Sequence, residues 1–410
     1  MKLHTVLLAG AALATGLILS RAEPAWAQQK DVKAALIAPL SGPWARQGEL
    51  VRSGAETAIE EINEKGGIKA LGGAKMQLVI ADAGDTTEKA KNAAQRLLSQ
   101  EPELIGGAGA WLSSFTMAIT EVTERAQLPW LTLSYSDQLT DRGFHYIFQL
   151  SPTASRQSEL TLPTVVDFAE KATGKRPKTV GMISDNTAGA ASFAKWVREG
   201  GAEKNGLKLV VDEVFTPPLA DATALIQRVR STRPDFLLVI PSNVPDNKLL
   251  FEKMNEFRLG KGVVPVVGNS GSLGAPELLK TVGKDLLEGL IVSVGTWSMK
   301  GQEEIVARYK KRTNEPWMTQ DSLMGYAEMW ILKEAVERAG TADRVKVAEE
   351  IRKMDLKDGP AALSLPGGIK FDEKGRRVDA PLVLIQWQDG EPKSIAPADR
   401  ANTKANWPKK

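Results

Sequence analysis

The 410-residue chain carries 53 basic and 50 acidic side chains, interspersed and nearly balanced, which excludes a nucleic-acid binder built on a basic stripe with interleaved aromatics. It has no cysteine and two histidines, so disulfides, thiolate chemistry and an ordinary zinc set are out of reach. The length allows two domains of usual size, with cores that need no disulfide.

From the start of the chain, Lys2, the apolar run 6–19 and the small-x-small triplet Ala25-Trp26-Ala27 predict a signal peptide over 1–27, cleaved before Gln28. That run is shorter than the ~20 apolar residues a spanning helix needs, and no later segment reaches that length. The expectation is export to the periplasm.

A strand is predicted over 32–38, stopped by Pro39. From Glu49 the period becomes helical, with Leu50, Ala55, Ala58, Ile59 and Ile62 on one face and an end at Gly66-Gly67. Next come a strand over 76–81, a helix over 87–98, and a short buried strand at Leu104-Ile105 leading into Gly106-Gly107-Ala108-Gly109. A helix begins near Ser113, and 130–133 and 144–148 read as extended. The alternation then restarts, with strands at 179–183, 207–214, 236–240 and 263–267 separated by helices at 191–203, 222–230 and 248–257. Two long helices follow at 322–338 and 344–353. The end reads as an antiparallel hairpin of 368–372 and 382–388, joined by Glu373-Lys374-Gly375, before a solvated tail.

Nearly continuous apolar strands alternating with helices predict an α/β chain with two doubly wound parallel-sheet lobes. The expected layout is 28–150 in lobe 1, 151–294 in lobe 2, 295–364 back in lobe 1, and 365–410 in lobe 2 with the tail. Three hinge crossings would then flank a cleft at the carboxyl ends of the strands, where ligands bind in such sheets.

Catalytic chemistry finds little support. His4 leaves with the signal peptide, and His145 lies in an extended segment where a structural role is expected. There is no Gly-x-Ser-x-Gly elbow and no phosphate-binding loop, and Leu112 breaks the dinucleotide spacing begun at Gly107-Ala108-Gly109. Asp82, Asp85, Asp137 and Asp141 sit at turns that suit capping or solvation. No catalytic set, metal site or cofactor is expected, and the chain does not read as an enzyme.

Several stretches resemble the branched-chain amino-acid-binding family of periplasmic solute-binding proteins, which serve ABC transporters. These are Ala38-Pro39-Leu40-Ser41-Gly42-Pro43 with Gly48-Glu49 and Gly54-Ala55, then Ile62-Asn63-Glu64-Lys65-Gly66-Gly67-Ile68. Leu139-Thr140-Asp141-Arg142-Gly143 and Phe371-Asp372-Glu373-Lys374-Gly375 complete the set, in order along nearly all of the chain. The resemblance implies a type I periplasmic binding fold that closes on a small ligand and presents it to an inner-membrane permease. A monomer with no nucleic-acid partner is expected. Two alternatives share the same reading of the chain, a sensing module for a receptor and, more remotely, an exported enzyme.

The family's cleft residues map onto particular positions. The carboxylate-binding turn corresponds to Trp111-Leu112-Ser113-Ser114, where free amides at a helix start independently suit an anion; both serines also read as N-caps. Ser134-Tyr135-Ser136 stands at the next cleft turn. From the second lobe come Asn186 and Ala188, the latter replacing a family aromatic, then Ser242-Asn243. Tyr326 matches a family tyrosine near the cleft and equally reads as a helix residue packed between lobes. The family's acidic partner for a ligand ammonium is replaced by Ser270, and a buried ammonium without a carboxylate is costly. Trp44 and Trp111 suggest stacking on a flat ligand, and Arg46 a fork for a carboxylate. Together these move the expected ligand from leucine-like amino acids toward a carboxylate, amino-acid-like or aromatic, that need not carry an ammonium.

Overall fold

A computed structural model describes residue 1 and residues 30–407. The expected signal peptide, Met1 apart, and its cleavage point lie outside the described residues. The first sheet contains β1 (Val32–Ala38), β2 (Met76–Asp82), β3 (Gly106–Gly109), β4 (Trp130–Thr132) and β5 (Ile147–Gln149), all parallel, in the order β2-β1-β3-β4-β5. The second contains β6 (Thr179–Asp185), β7 (Lys208–Phe215), β8 (Phe236–Ile240), β9 (Val266–Asn269) and β10 (Ile291–Val294), also parallel. A small ladder joins β11 (Asp355–Leu356) to β12 (Ile369–Lys370), and β13 (Val383–Gln388) and β14 (Glu391–Ala396) add antiparallel strands to the second sheet, whose order is β14-β13-β10-β9-β8-β6-β7.

Each sheet is covered on both faces, which is why β1 and β8 are buried along their length. In the first lobe, helices Ala45–Glu64 and Gln320–Ala339 cover one face and Thr87–Gln100 and Ser113–Arg125 the other. In the second, Ala154–Thr173 and Ala188–Trp196 cover one face, and Thr223–Thr232 and Val244–Glu256 the other. No helix among the described residues is long and apolar enough to cross a membrane.

Two local expectations are corrected. The third strand is not Leu104-Ile105 but the glycine run after it, because close neighbours select small residues there. A Cβ on Gly107 would fall 2.4 Å from the Trp130 ring. Gly109 adopts φ +101°, and a Cβ there would lie 2.1 Å from the Ile37 carbonyl oxygen. The expected hairpin is also different. The turn at Asp372–Gly375 folds back after Phe371, which bridges Arg377, whereas β13 pairs with β10 and β14.

That difference moves the last crossing. Leu365, Ile369 and Phe371 pack in the first-lobe core, and Arg376 bridges Gln149 at the end of β5. Lobe 2 therefore resumes at β13 rather than at 365. Arg377 explains the docking: its buried guanidinium donates to the carbonyls of Leu150 (2.6 Å), Pro366 (2.8 Å) and Gly368 (3.0 Å).

Candidate functional site

The carboxyl ends of β3 and β4 in one lobe face those of β6, β8 and β9 in the other, and the cleft between them holds about 430 Å³ of space free of protein atoms, its open mouth included. Of the residues expected there, Trp111, Leu112, Ser113, Tyr135, Ser242 and Ser270 line it. Thr187, Gly189, Asn269, Gly271 and Gln320 also line it and were missed. Gln320 is remote in sequence from the cleft motifs and reaches the cleft only because its helix packs on the first lobe, so no local signal marks it.

Ser113 is the best-defined group. The N-cap of its helix is Leu112, without a side-chain cap bond, so the N-cap reading of Ser113 and Ser114 is corrected. Instead Ser113 Oγ accepts the backbone N–H groups of Tyr135 and Ser136, each at 3.1 Å. With both lone pairs engaged, its hydroxyl proton is left for a further acceptor. The first amides of the same helix have no acceptor within it and lie at its positive end. The Trp111 indole N–H is buried without a hydrogen-bond partner among the described residues, a second unused donor on the same turn.

On the opposite wall Thr187 is held by Asp185, whose Oδ1 accepts both its N–H (2.9 Å) and its hydroxyl (2.6 Å). Thr187 also meets Ser242 at 2.9 Å. Ser270 Oγ pairs with Ser272 Oγ at 2.8 Å. Tyr135 donates its phenol to Gln320 Oε1 at 2.5 Å, and the Gly295 amide donates to that same oxygen at 2.9 Å. Burial pushes the Tyr135 phenol well above its usual range, so it acts as a neutral donor.

The other expected site residues stand outside the lining, each for a physical reason. Trp44 packs edge-on against Phe115, centroids 5.5 Å apart, in the first-lobe core. Arg46 already holds two carboxylates, Glu277 at 2.5 Å and Glu315 at 2.7 Å, and so joins the lobes instead of binding a ligand acid. Ser134 is spent on the Ala110 and Trp111 carbonyls. Ser114 accepts the Ala188 N–H at 3.2 Å and Ser136 meets Ser192 at 3.0 Å, so these four groups join the lobes across the cleft. Asn186 is exposed and bonds Thr216. Asn243 is buried as the N-cap of Val244–Glu256, accepting from the Asp246 N–H. Tyr326 donates to Glu61 at 2.6 Å deep in the first lobe, which decides against a place in the cleft.

Two buried acids flank the cleft. Burial pushes Asp185 up to about 6, against the pull of Ser242 and Thr187. Burial pushes Asp321 up to about 7, with the Gln320 amide and the Arg46 charge pulling the other way. Neither Asp321 oxygen has a hydrogen-bond partner of normal geometry among the described residues.

Two doubly wound lobes, linked by three crossings and touching across a polar cleft, define a type I periplasmic binding protein. The chain belongs to the periplasmic binding protein family, whose pattern matches residues 31–392. It is 29% identical over 406 residues to Leu/Ile/Val-binding protein homolog 7 of Brucella suis biovar 1, covering 97% of each chain. Homolog 8 of Brucella melitensis biotype 1 is 28% identical over 391 residues, covering 92% of this chain and 94% of the relative. The leucine binding protein LivK of Thermotoga maritima superposes with a TM-score of 0.74 at 24% identity, over 89% of this chain and 98% of its own. A solute binding protein of Rhodopseudomonas palustris BisB5, solved with 3,4-dihydroxy benzoic acid, gives 0.73 at 22% identity over 92% and 98%.

Proposed function

We propose that the mature protein is a periplasmic carrier that captures a small carboxylate, amino-acid-like or aromatic, between its lobes and delivers it as a monomer to an ABC permease. One observation carries the carboxylate: Ser113 accepts two backbone N–H groups, leaving its proton, with the first free amides of its helix, for an anion in the cleft. Trp111 adds a donor and a flat face. The names of the Brucella relatives and the benzoate in the Rhodopseudomonas neighbour favour, respectively, amino-acid and aromatic members of this class.

A thermal-shift screen of amino acids, amides and aromatic carboxylates tests the reading. Any carboxylate that raises the melting temperature is then titrated by calorimetry against Ser113→Ala. A bond to a charged group is worth ~1.5–3 kcal/mol, so the variant should bind roughly tenfold more weakly or worse. Unchanged affinity would remove the Ser113 turn from the site.

A further inference from the structure

We infer that the ligand carries a positively charged nitrogen as well as its carboxylate, and that Asp321 holds this nitrogen from the first-lobe side of the cleft. The inference rests on the carboxylate reading above and narrows it to a zwitterion.

Asp321 is 1% exposed, and neither of its oxygens has a hydrogen-bond partner among the described residues. Buried polar groups are ordinarily paired, and an acid left with both oxygens unused calls for an explanation. Helix capping does not supply one. Thr319 is the N-cap of Gln320–Ala339 and its hydroxyl accepts the Ser322 N–H. The position of Asp321 is informative. Gly271 lines the cleft, and a Cβ built on it would lie 3.0 Å from Asp321 Oδ2 and 2.4 Å from Gln320 Nε2. The carboxylate thus abuts the cleft wall at a point where that wall has no side chain.

The surrounding charges point the same way. Arg46 is the cation whose field reaches Asp321, and it is already held by Glu277 and Glu315. Glu277 also pairs with the exposed Lys280 at 3.7 Å, so the cluster has two cations for three acids, and Asp321 is the acid without an ion pair among the described residues. Tyr135 also faces Asp321 electrostatically, but its phenol is donated to Gln320. A ligand ammonium or amidinium is the species that would use the free oxygens and relieve the imbalance. Ser270, where an acid was missing from the second lobe, lies beside Gly271, so an acid from the other lobe serves the same corner of the cleft.

The experiment uses matched pairs of probes differing only in the amine: leucine with 4-methylpentanoate, 4-aminobutanoate with butanoate, and 4-(aminomethyl)benzoate with 4-methylbenzoate. Each is titrated calorimetrically against the full mature chain and against Asp321→Asn. In the best-fitting pair the amine should tighten binding to the parent protein by roughly tenfold or more, and Asp321→Asn should abolish that preference while leaving the carboxylate-only member within about twofold. Equal or tighter binding of the amine-free members to the parent protein would overturn the inference and leave the carboxylate reading standing. A preference that survives in Asp321→Asn would also overturn it. Failure of every probe to bind would count against both. The comparison on the parent protein does not depend on the variant folding.

Discussion

Asp321 and Asp185 are acids that the fold keeps away from water and from cations of their own. The unfolded chain releases the Asp321 proton near 3.8, the folded protein only near 7. Between those values the folded state holds more protons, so this group's contribution to stability falls as pH rises from about 4 to about 7 and is level outside that interval. Asp321→Asn should therefore melt above the parent protein at pH 7.5, by on the order of 2–4 kcal/mol. The advantage should disappear near pH 4. Equal melting temperatures at both pH values, in ligand-free protein, would show that the carboxyl is not desolvated. A stability gain coupled to lost amine recognition is the usual mark of a binding residue that the fold tolerates at a cost.

At the scale of elements, the site depends on how closely Gln320–Ala339 approaches Ala45–Glu64. A Cβ on Gly54 would sit 1.9 Å from the Ser322 carbonyl oxygen, and one on Gly325 2.2 Å from that of Val51. The two helices meet backbone to backbone, and this contact sets the depth at which Gln320 faces the cleft, with Asp321 behind the wall at Gly271. Gly54→Ala has nowhere to place its methyl, and overpacking of this kind costs ~1–3 kcal/mol or more. Chemical denaturation should show that loss, and calorimetry should show weaker ligand binding although Gly54 touches no ligand. A variant with full affinity and full stability would mean that the helices can separate freely. Gly54-Ala55 was part of the resemblance read from the sequence, yet the reason for the glycine is visible only with both helices in place.

The whole molecule is organised by contacts between its crossings. Arg376 donates to Thr140 at 2.6 Å and pairs with Asp141 at 2.9 Å, and Lys374 pairs with Asp141 at 2.7 Å. Two motifs more than 200 positions apart in the chain thus meet at the hinge. Beside them Arg377 joins the first crossing at Leu150 to the segment before the third at Pro366 and Gly368. Arg377→Leu would leave three carbonyls unpaired and should cost ~2–4 kcal/mol, measured by calorimetric melting. Small-angle scattering should show a wider spread of interlobe angles, and an unchanged melt would make Arg377 dispensable. Further out, Glu277→Gln removes half of the Arg46 clamp. Because that contact is only partly buried, ligand affinity should fall by only about two- to fivefold, and less at high salt. An affinity indifferent to this change would show that closure does not draw on the clamp.

Length, composition and the period of the apolar residues were enough to read two doubly wound α/β lobes with a cleft between them. Sheet-buried strands and amphipathic helices write their burial into local sequence. The turn around Ser113 was legible for the same reason, since free amides at a helix start are a local property. The use of each polar side chain was not local. Arg46, Asn243 and Tyr326 had suitable chemistry for the cleft and are occupied elsewhere, by Glu277 and Glu315, by Asp246 and by Glu61. Asp321 had an ordinary place in a helix's first turn and is left without a hydrogen-bond partner among the described residues. Hydrogen-bond and charge pairing are settled between segments far apart in the chain, so only the tertiary structure decided which groups remained free for a ligand.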